Sequence, residues 1–280
     1  MHFENHVLPD GRRLQREPEY GFLKVIPRPS AEELSNYYGN RYRPPVRPHD
    51  PAGRAAIVEG LHPIPGRVLD IGCGQAEILE VLVQKGWTAV GIEPSSTDAG
   101  IARSKGVEVV PEMLTPEVVA RLGVFDAVLL VHVLEHLPEP EAMLKLVHGL
   151  LRPGGIFYCE VPNDFNLFQE VAVETQGLRP WWIVLPDHLN YFSISSLSHF
   201  IGGHGFEVCL KTTDFPVELF LLWGDIYLDN PAAARDMHSR RCRFEQVLRE
   251  AGQSEFLARF YEKLAELEVG RQAIVGARRI

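Results

Sequence analysis

The run Arg67-Val68-Leu69-Asp70-Ile71-Gly72-Cys73-Gly74-Gln75-Ala76-Glu77-Ile78-Leu79 passes from an apolar strand through two glycines into an amphipathic helix. Gly72 and Gly74 let the backbone turn tightly and let a ligand approach with no Cβ in the way. Asp70, at the strand end, is placed to accept hydrogen bonds, directly or through water, from a cationic amino group. Many strand-helix turns contain glycine, so this run alone leaves the ligand open.

The next strand narrows the choice. Gly91-Ile92-Glu93-Pro94-Ser95 ends it about twenty residues after the turn, where an acidic side chain can hold two ribose hydroxyls. No third glycine stands at the helix start to admit a pyrophosphate. The pair therefore favours a nucleoside-containing methyl donor, S-adenosylmethionine, over a nicotinamide dinucleotide.

Outward from Arg67, short apolar runs alternate with amphipathic stretches, the pattern of a parallel sheet covered by helices. Strands are predicted at Arg67–Ile71, Thr88–Glu93, Val107–Val110, Phe125–Val131, Gly155–Val161, Phe206–Thr212 and Gln272–Ala277, with helices near 75–85, 96–104, 115–122, 139–150 and 194–203. Gly154 and Gly155 read as a turn before the fifth strand. Residues 1–62 form an appended arm, in which prolines 27, 29, 44, 45, 48 and 51 interrupt any long helix. One short helix is expected there, started by a Ser30–Glu33 capping box. Residues 63–280 form the main domain. Its sixth and seventh strands are about sixty residues apart, whereas hairpin partners need about two to five, so 214–270 reads as a helical insertion, either a packed pair or a lid. Asn163 to Asn190 reads as an irregular, aromatic-rich stretch.

Composition sets the outer limits. With 45% hydrophobic and 23% charged residues the chain can bury a large core. A net charge of −9 opposes general affinity for phosphate backbones, and no nucleic-acid partner is expected. The basic run Arg240, Arg241, Arg243 is interspersed with acids and reads as a solvated helix face. Cys73, Cys159, Cys209 and Cys242 form no C-x-x-C pair, so neither a zinc ribbon nor a disulfide framework is indicated. The N-terminus lacks a signal-peptide run and no stretch has the length of a membrane span, so a cytoplasmic protein is expected.

Four ordered motifs over Arg67 to Asp214 resemble the class I S-adenosylmethionine-dependent methyltransferases: VLDIGCG, GIEPS, FDAVLLVHVLEHLPEP and LLRPGGIFYCEVPN. The resemblance implies an α/β fold, a Rossmann-like doubly wound seven-stranded sheet with its last strand antiparallel. It implies S-adenosylmethionine as donor and S-adenosylhomocysteine as product. Carried over by position, Asp70, Gly72, Cys73 and Gly74 surround the methionine part and Glu93 holds the ribose. Glu112 and Met113 lie beside adenine, and His132 borders the cofactor. Cys73 otherwise reads as a small residue in a crowded turn, and Met113 as core filling.

Methyl transfer to an alcohol needs removal of its proton, a task for a histidine near neutral pKa. His136, just beyond the fourth strand of the sheet, is placed as general base or as a structural residue before Pro138. In DHLNYFSISSLSHF, His188 and Tyr191 would face the substrate, while Phe192 packs and His199 and His204 sit on a helix surface. The set His132, Glu135, His136 and His188 resembles the metal ligands of ubiquinone O-methyltransferases, with His132 in place of a glutamate, and opens a metal-assisted alternative. The arm resembles the leader of bacterial sugar and natural-product methyltransferases, and Tyr38, Arg41 and Tyr42 are candidates to close over a ligand. Trp181, Trp182 and Trp223 suit either a ring-bearing partner or packing. The expected activity is O-methylation of a small polar acceptor such as a sugar, nucleotide-sugar or glycosylated metabolite. Two alternatives stand beside it: metal-assisted methylation of a catechol or quinol, and cofactor binding without catalysis.

Overall fold

Residues 7–40 and 50–280 are described by the computed structural model, apart from the side chains of Ala31, Ser35, Tyr38, Gly39 and Asn40. The expectation that Tyr38, Arg41 and Tyr42 close over a ligand lies outside the described residues. The chain opens with β1 (Arg13–Arg16), β2 (Leu23–Ile26), α1 (Ala31–Asn40) and α2 (Pro51–Leu61). Strands and helices then alternate through β3 (Arg67–Ile71), α3 (Glu77–Gln84), β4 (Thr88–Ile92), α4 (Ser96–Ser104), β5 (Glu108–Val110), α5 (Pro116–Leu122) and β6 (Phe125–Val131). A 3-10 turn over Leu134–His136 leads into α6 (Pro140–Leu150), β7 (Leu151–Pro162), α7 (Leu167–Gln176), β8 (Asn190–Tyr191), α8 (Ile194–Gly202) and β9 (Phe206–Thr212). Three helices, α9 (Glu218–Leu222), α10 (Pro231–Glu250) and α11 (Ser254–Glu266), separate β9 from β10 (Gln272–Arg279).

Local chemistry explains the starts of these helices. The Ser30–Glu33 capping box forms as expected, Glu33 N donating to Ser30 Oγ at 3.1 Å and Ser30 N to Glu33 Oε2 at 2.7 Å. Pro51 corrects the reading of the arm. It does not interrupt a helix but occupies the first turn of α2, where its missing N–H costs nothing, and Asp50 caps that turn through Gly53 N. The stretch after Asn163 is likewise not wholly irregular. Asn166 and Gln169 form a second capping box that starts α7. The predicted turn at Gly154 and Gly155 falls inside β7, whose first residues precede it.

The chain divides into two compact units. One contains α2, the rest of the chain through Val161, Ser198–Leu210 and Val275–Ile280. Its seven-stranded sheet runs β5-β4-β3-β6-β7-β10-β9, with β5, β4, β3, β6 and β7 parallel and the last strand antiparallel. Val68, Leu69, Val90, Val128, Leu129 and Phe157 are buried on these strands. Sequence order reverses between β3 and β6, so the carboxyl ends of those two strands flank the switch point where open α/β sheets bind ligands.

The other unit contains the described residues of the arm that precede α2, together with Pro162–Leu197 and Lys211–Ile274. Here β1, β2 and β8 form a small antiparallel sheet, with Leu14 opposite Val25 and Leu23 opposite Tyr191. Leu8, Leu14, Val25, Trp182 and Tyr191 form its core with Trp181 packed against them, while Trp223 is 63% exposed. The chain from Phe215 through α11 gathers Phe215, Phe220, Met237, Leu257 and Tyr261 into a second core. The basic run is not uniformly a solvated face. Arg241 is buried beside Glu245 and Asp214, and Arg240 and Arg243 pair with Asp225 and Glu250. Among the described residues no helix is long and apolar enough to cross a membrane.

At Gly91, opposite Asp70 in the sheet, a Cβ would stand 2.4 Å from Cys73 Sγ. Gly91→Ala is expected to cost about 1–3 kcal/mol through overpacking, read as a lowered Tm. Adding Cys73→Ala should restore most of the loss, because the clash is with that sulfur.

Candidate active site

The turn after β3 is held by the neighbouring strand. Gly72 N and Cys73 N both donate to Ile92 O, at 2.8 and 3.1 Å. Gly72 and Gly74 have φ values of 75° and 52°, and a Cβ on Gly72 would meet Val133 at 2.6 Å. Glu93 bridges the two strand ends. Its Oε2 accepts from Gly74 N at 2.9 Å and its Oε1 from Ser95 N at 2.7 Å. Cys73 is buried, and burial pushes its thiol upward, with Asp70 and Glu93 adding to the effect. It is a small residue filling a crowded turn, not a reactive thiol.

Asp70 is 3% exposed, and its Oδ1 is buried without a hydrogen-bond partner among the described residues. Burial raises its carboxyl to about 8, against which Arg54 pulls downward and Glu93 adds a further rise. A buried carboxylate oxygen left unpaired at the mouth of a glycine turn is the acceptor that a ligand ammonium group would satisfy. Met113, beyond β5, is 62% exposed, which excludes core filling. Glu112 beside it pairs with Arg121 at 2.6 Å.

The carboxyl end of β6 brings three of the predicted residues together. His132, at φ 55°, donates its backbone N–H to Glu160 O at 2.8 Å. Its Nδ1 lies 3.2 Å from Glu135 Oε1 and its Nε2 3.4 Å from Glu160 Oε1. His136 Nε2 lies 3.7 Å from the same Glu135 oxygen, and Glu135 is 1% exposed. The His132 imidazole is thus held between two fixed carboxylates, the support a metal ligand or general base requires, and Glu135 places a carboxylate beside His136. His188 and Tyr191 lie in the other unit, both buried, with ring centroids 6.1 Å apart. Phe192 packs as expected, its ring tilted against Phe22 with centroids 4.6 Å apart.

Three residues of this region escaped the sequence reading. Glu160 on β7 accepts from Arg54 at 2.7 and 2.5 Å and from Tyr158 Oη at 2.8 Å. Burial alone would raise this carboxyl, but the Arg54 guanidinium and then His132 outweigh it and hold it far below the carboxylate range. A signal was available, because Glu160 is an acid inside the apolar strand Phe157-Tyr158-Cys159-Glu160-Val161, and buried acids need partners. Its partner Arg54 lies 106 positions away in sequence, beyond the reach of any local pattern.

A family model described as a methyltransferase domain matches residues 48–211. The chain is 31% identical to the C-methyltransferase NovU of Streptomyces niveus over 145 residues, 50% of this chain and 33% of that protein. It is 34% identical to a ubiquinone biosynthesis O-methyltransferase of Pseudomonas aeruginosa over 103 residues, 35% of this chain and 44% of that one. The match therefore spans less than half the length of these curated relatives. Among solved structures, a SAM dependent methyltransferase from Archaeoglobus fulgidus has a TM-score of 0.52 at 20% identity, covering 89% of this chain and 100% of that one. The 1,6-didemethyltoxoflavin-N1-methyltransferase of Burkholderia thailandensis, solved with 1,6-didemethyltoxoflavin and S-adenosylhomocysteine, has a TM-score of 0.52 at 15% identity and 99% coverage of both chains. These likenesses extend to the fold. With more than half of its residues matched by the family model, the chain belongs to the methyltransferase-domain family.

Proposed function

We propose that this chain binds S-adenosylmethionine at the β3 and β4 ends and methylates a hydroxyl of a small polar acceptor, with His136 as the proton acceptor. The observation that carries the reading is Asp70 Oδ1, buried and unpaired beside a glycine turn that Glu93 bridges to the next strand. Bound there, the donor supplies an electrophilic methyl group on a sulfonium. Asp70 would take the methionine ammonium, Gly72 and Gly74 leave room for the chain, and Glu93 keeps acceptor capacity for ribose hydroxyls beyond its two backbone bonds. Met113 would lie by the adenine and His132 would border the donor. His136 receives the acceptor proton, with a Glu135 carboxylate oxygen 3.7 Å from its Nε2. His188 is assigned to the acceptor side. The relatives named for C-, O- and N-methylation support the reaction class and leave the acceptor to experiment.

Incubating the protein with a cell extract and isotopically labelled S-adenosylmethionine should yield a labelled product by mass spectrometry, its methyl on oxygen. Absence of any labelled product from a protein that binds the donor would favour the non-catalytic alternative. A second reading, metal-assisted methylation, is supported by Glu135 and His136, whose ligand atoms lie within 4.8 Å of each other. An imidazole and a carboxylate side by side suit a zinc-like ion. Stoichiometric metal by elemental analysis with loss of turnover in EDTA is the expected result of that version; full turnover in EDTA with no metal present excludes it.

Asp70 gives a pH test. Its carboxyl, at about 8 in the free protein, is mostly protonated at pH 7, and a ligand ammonium beside it lowers that value. S-adenosylmethionine binding at pH 7 should therefore release up to about one proton, falling toward zero well above pH 8. Calorimetry in buffers of different ionisation enthalpy reads the release. It should vanish in Asp70→Asn, and a wild-type signal independent of buffer would contradict the assignment.

A further inference from the structure

His238 and Cys242 are four residues apart on α10, so their side chains share one face of the helix, and Cys242 Sγ lies 3.2 Å from His238 Nε2. Both residues are partly exposed. The adjoining Arg241 is buried, and its Nη2 lies 3.9 Å from the same sulfur. Its Nη1 is engaged elsewhere, with Glu245 Oε1 at 3.3 Å and Asp214 Oδ2 at 3.8 Å. Glu245 is compensated in turn, accepting from Tyr261 Oη at 2.8 Å and from Arg249 at 3.2 Å. The guanidinium beside the sulfur is therefore held in place by the fold and need not be recruited when negative charge develops there.

The histidine is in the state the pair requires. Partial burial and then the Arg241 charge lower its range, with Glu245 opposing, so the ring is neutral at pH 7 and open to a proton. A nucleophile and a base within hydrogen-bond reach, beside a fixed cation, form the arrangement that activates a thiol. The other cysteines are placed differently. Cys73 and Cys159 are buried, and burial pushes both thiols upward. Burial also raises the Cys209 thiol, whose sulfur donates to Gly276 O at 3.4 Å.

We propose that Cys242 is a thiol-modification site with His238 as its base, and that it takes low-molecular-weight disulfides. His238 Nε2 accepts the proton from Sγ as that sulfur attacks one sulfur of the disulfide. A new S–S bond forms on Cys242, the original S–S bond breaks, and the departing sulfur leaves with the bonding pair and takes its proton from the imidazolium. Cys242 is oxidised to the mixed disulfide and the departing half is reduced to a thiol, so the reagent is itself the oxidant.

The test is incubation of the full chain with glutathione disulfide at pH 7, acid quenching at intervals, and peptide mass spectrometry to locate and time each adduct. An ordinary free thiol is roughly 3% ionised at that pH. Activation therefore has room for up to about thirtyfold, reduced because a more acidic thiolate is a weaker nucleophile. Cys242 should be modified first, at least about fivefold faster than N-acetylcysteine under the same conditions. Cys242→Ser should remove that first adduct. His238→Gln keeps a polar side chain on the helix face and should slow the adduct at least about threefold with Tm unchanged. Earlier modification of Cys209, a Cys242 rate no greater than that of N-acetylcysteine, or the wild-type rate in His238→Gln would each overturn the proposal. Should the His238 variant unfold, the order and rate of modification in the wild type decide it.

Discussion

One carboxylate ties the cofactor end of the sheet together. Glu93, at the end of β4, accepts a backbone N–H from Gly74 in one loop and from Ser95 in the next, so the glycine turn and the start of α4 share a single anchor. Hydrogen bonds from backbone N–H groups to a charged acceptor are among the stronger ones in a folded chain. The turn is packed as well as bonded: Val133 occupies the space beside Gly72, and Cys73 Sγ occupies the space a side chain at Gly91 would need. Gly72, Cys73 and Gly91 are therefore one packed arrangement, and Asp70 is carried beneath it with an oxygen that none of the described residues satisfies.

A second anchor works at the ends of β6 and β7. Glu160 is fully surrounded by donors from Arg54, Tyr158 and His132, and its charge is kept by the two-pronged guanidinium contact. Removing Arg54 alone would leave a buried charge uncompensated, a loss of about 3–5 kcal/mol for pairs of this kind. The consequence for function is geometric. His132 sits in a left-handed backbone conformation that a histidine rarely adopts, and the bonds to Glu160 and Glu135 over-determine that position. His136, three residues after Val133 on the same 3-10 turn, inherits a fixed place at the sheet edge.

How much of this was legible in the sequence follows from how local each feature is. The strands Arg67–Ile71, Phe125–Val131 and Phe206–Thr212 have the predicted bounds because apolar runs bounded by turns are a local signal. The Ser30 box was visible, and the Asn166–Gln169 box could have been, since both are written within four residues. Helix α2 is hidden in the sequence because a proline reads as a breaker, whereas Pro51 directly after the capping Asp50 starts a helix. The small sheet of β1, β2 and β8 was out of reach: a two-residue strand carries no periodicity, and its pairing joins Leu23 to Tyr191 across most of the chain. In the site, Asp70, Gly72, Gly74 and Glu93 were readable from spacing. Arg54 and Glu160 were not paired in sequence because the contact between them exists only after the sheet has formed.

Calorimetric titration of S-adenosylhomocysteine into the wild-type protein and into Glu93→Ala probes the donor site at the ends of β3 and β4. One site per chain is expected in the wild type, with a loss of at least about tenfold in affinity, roughly 1.4 kcal/mol, in the variant. No binding to the wild type, or the same affinity in both proteins, would contradict it.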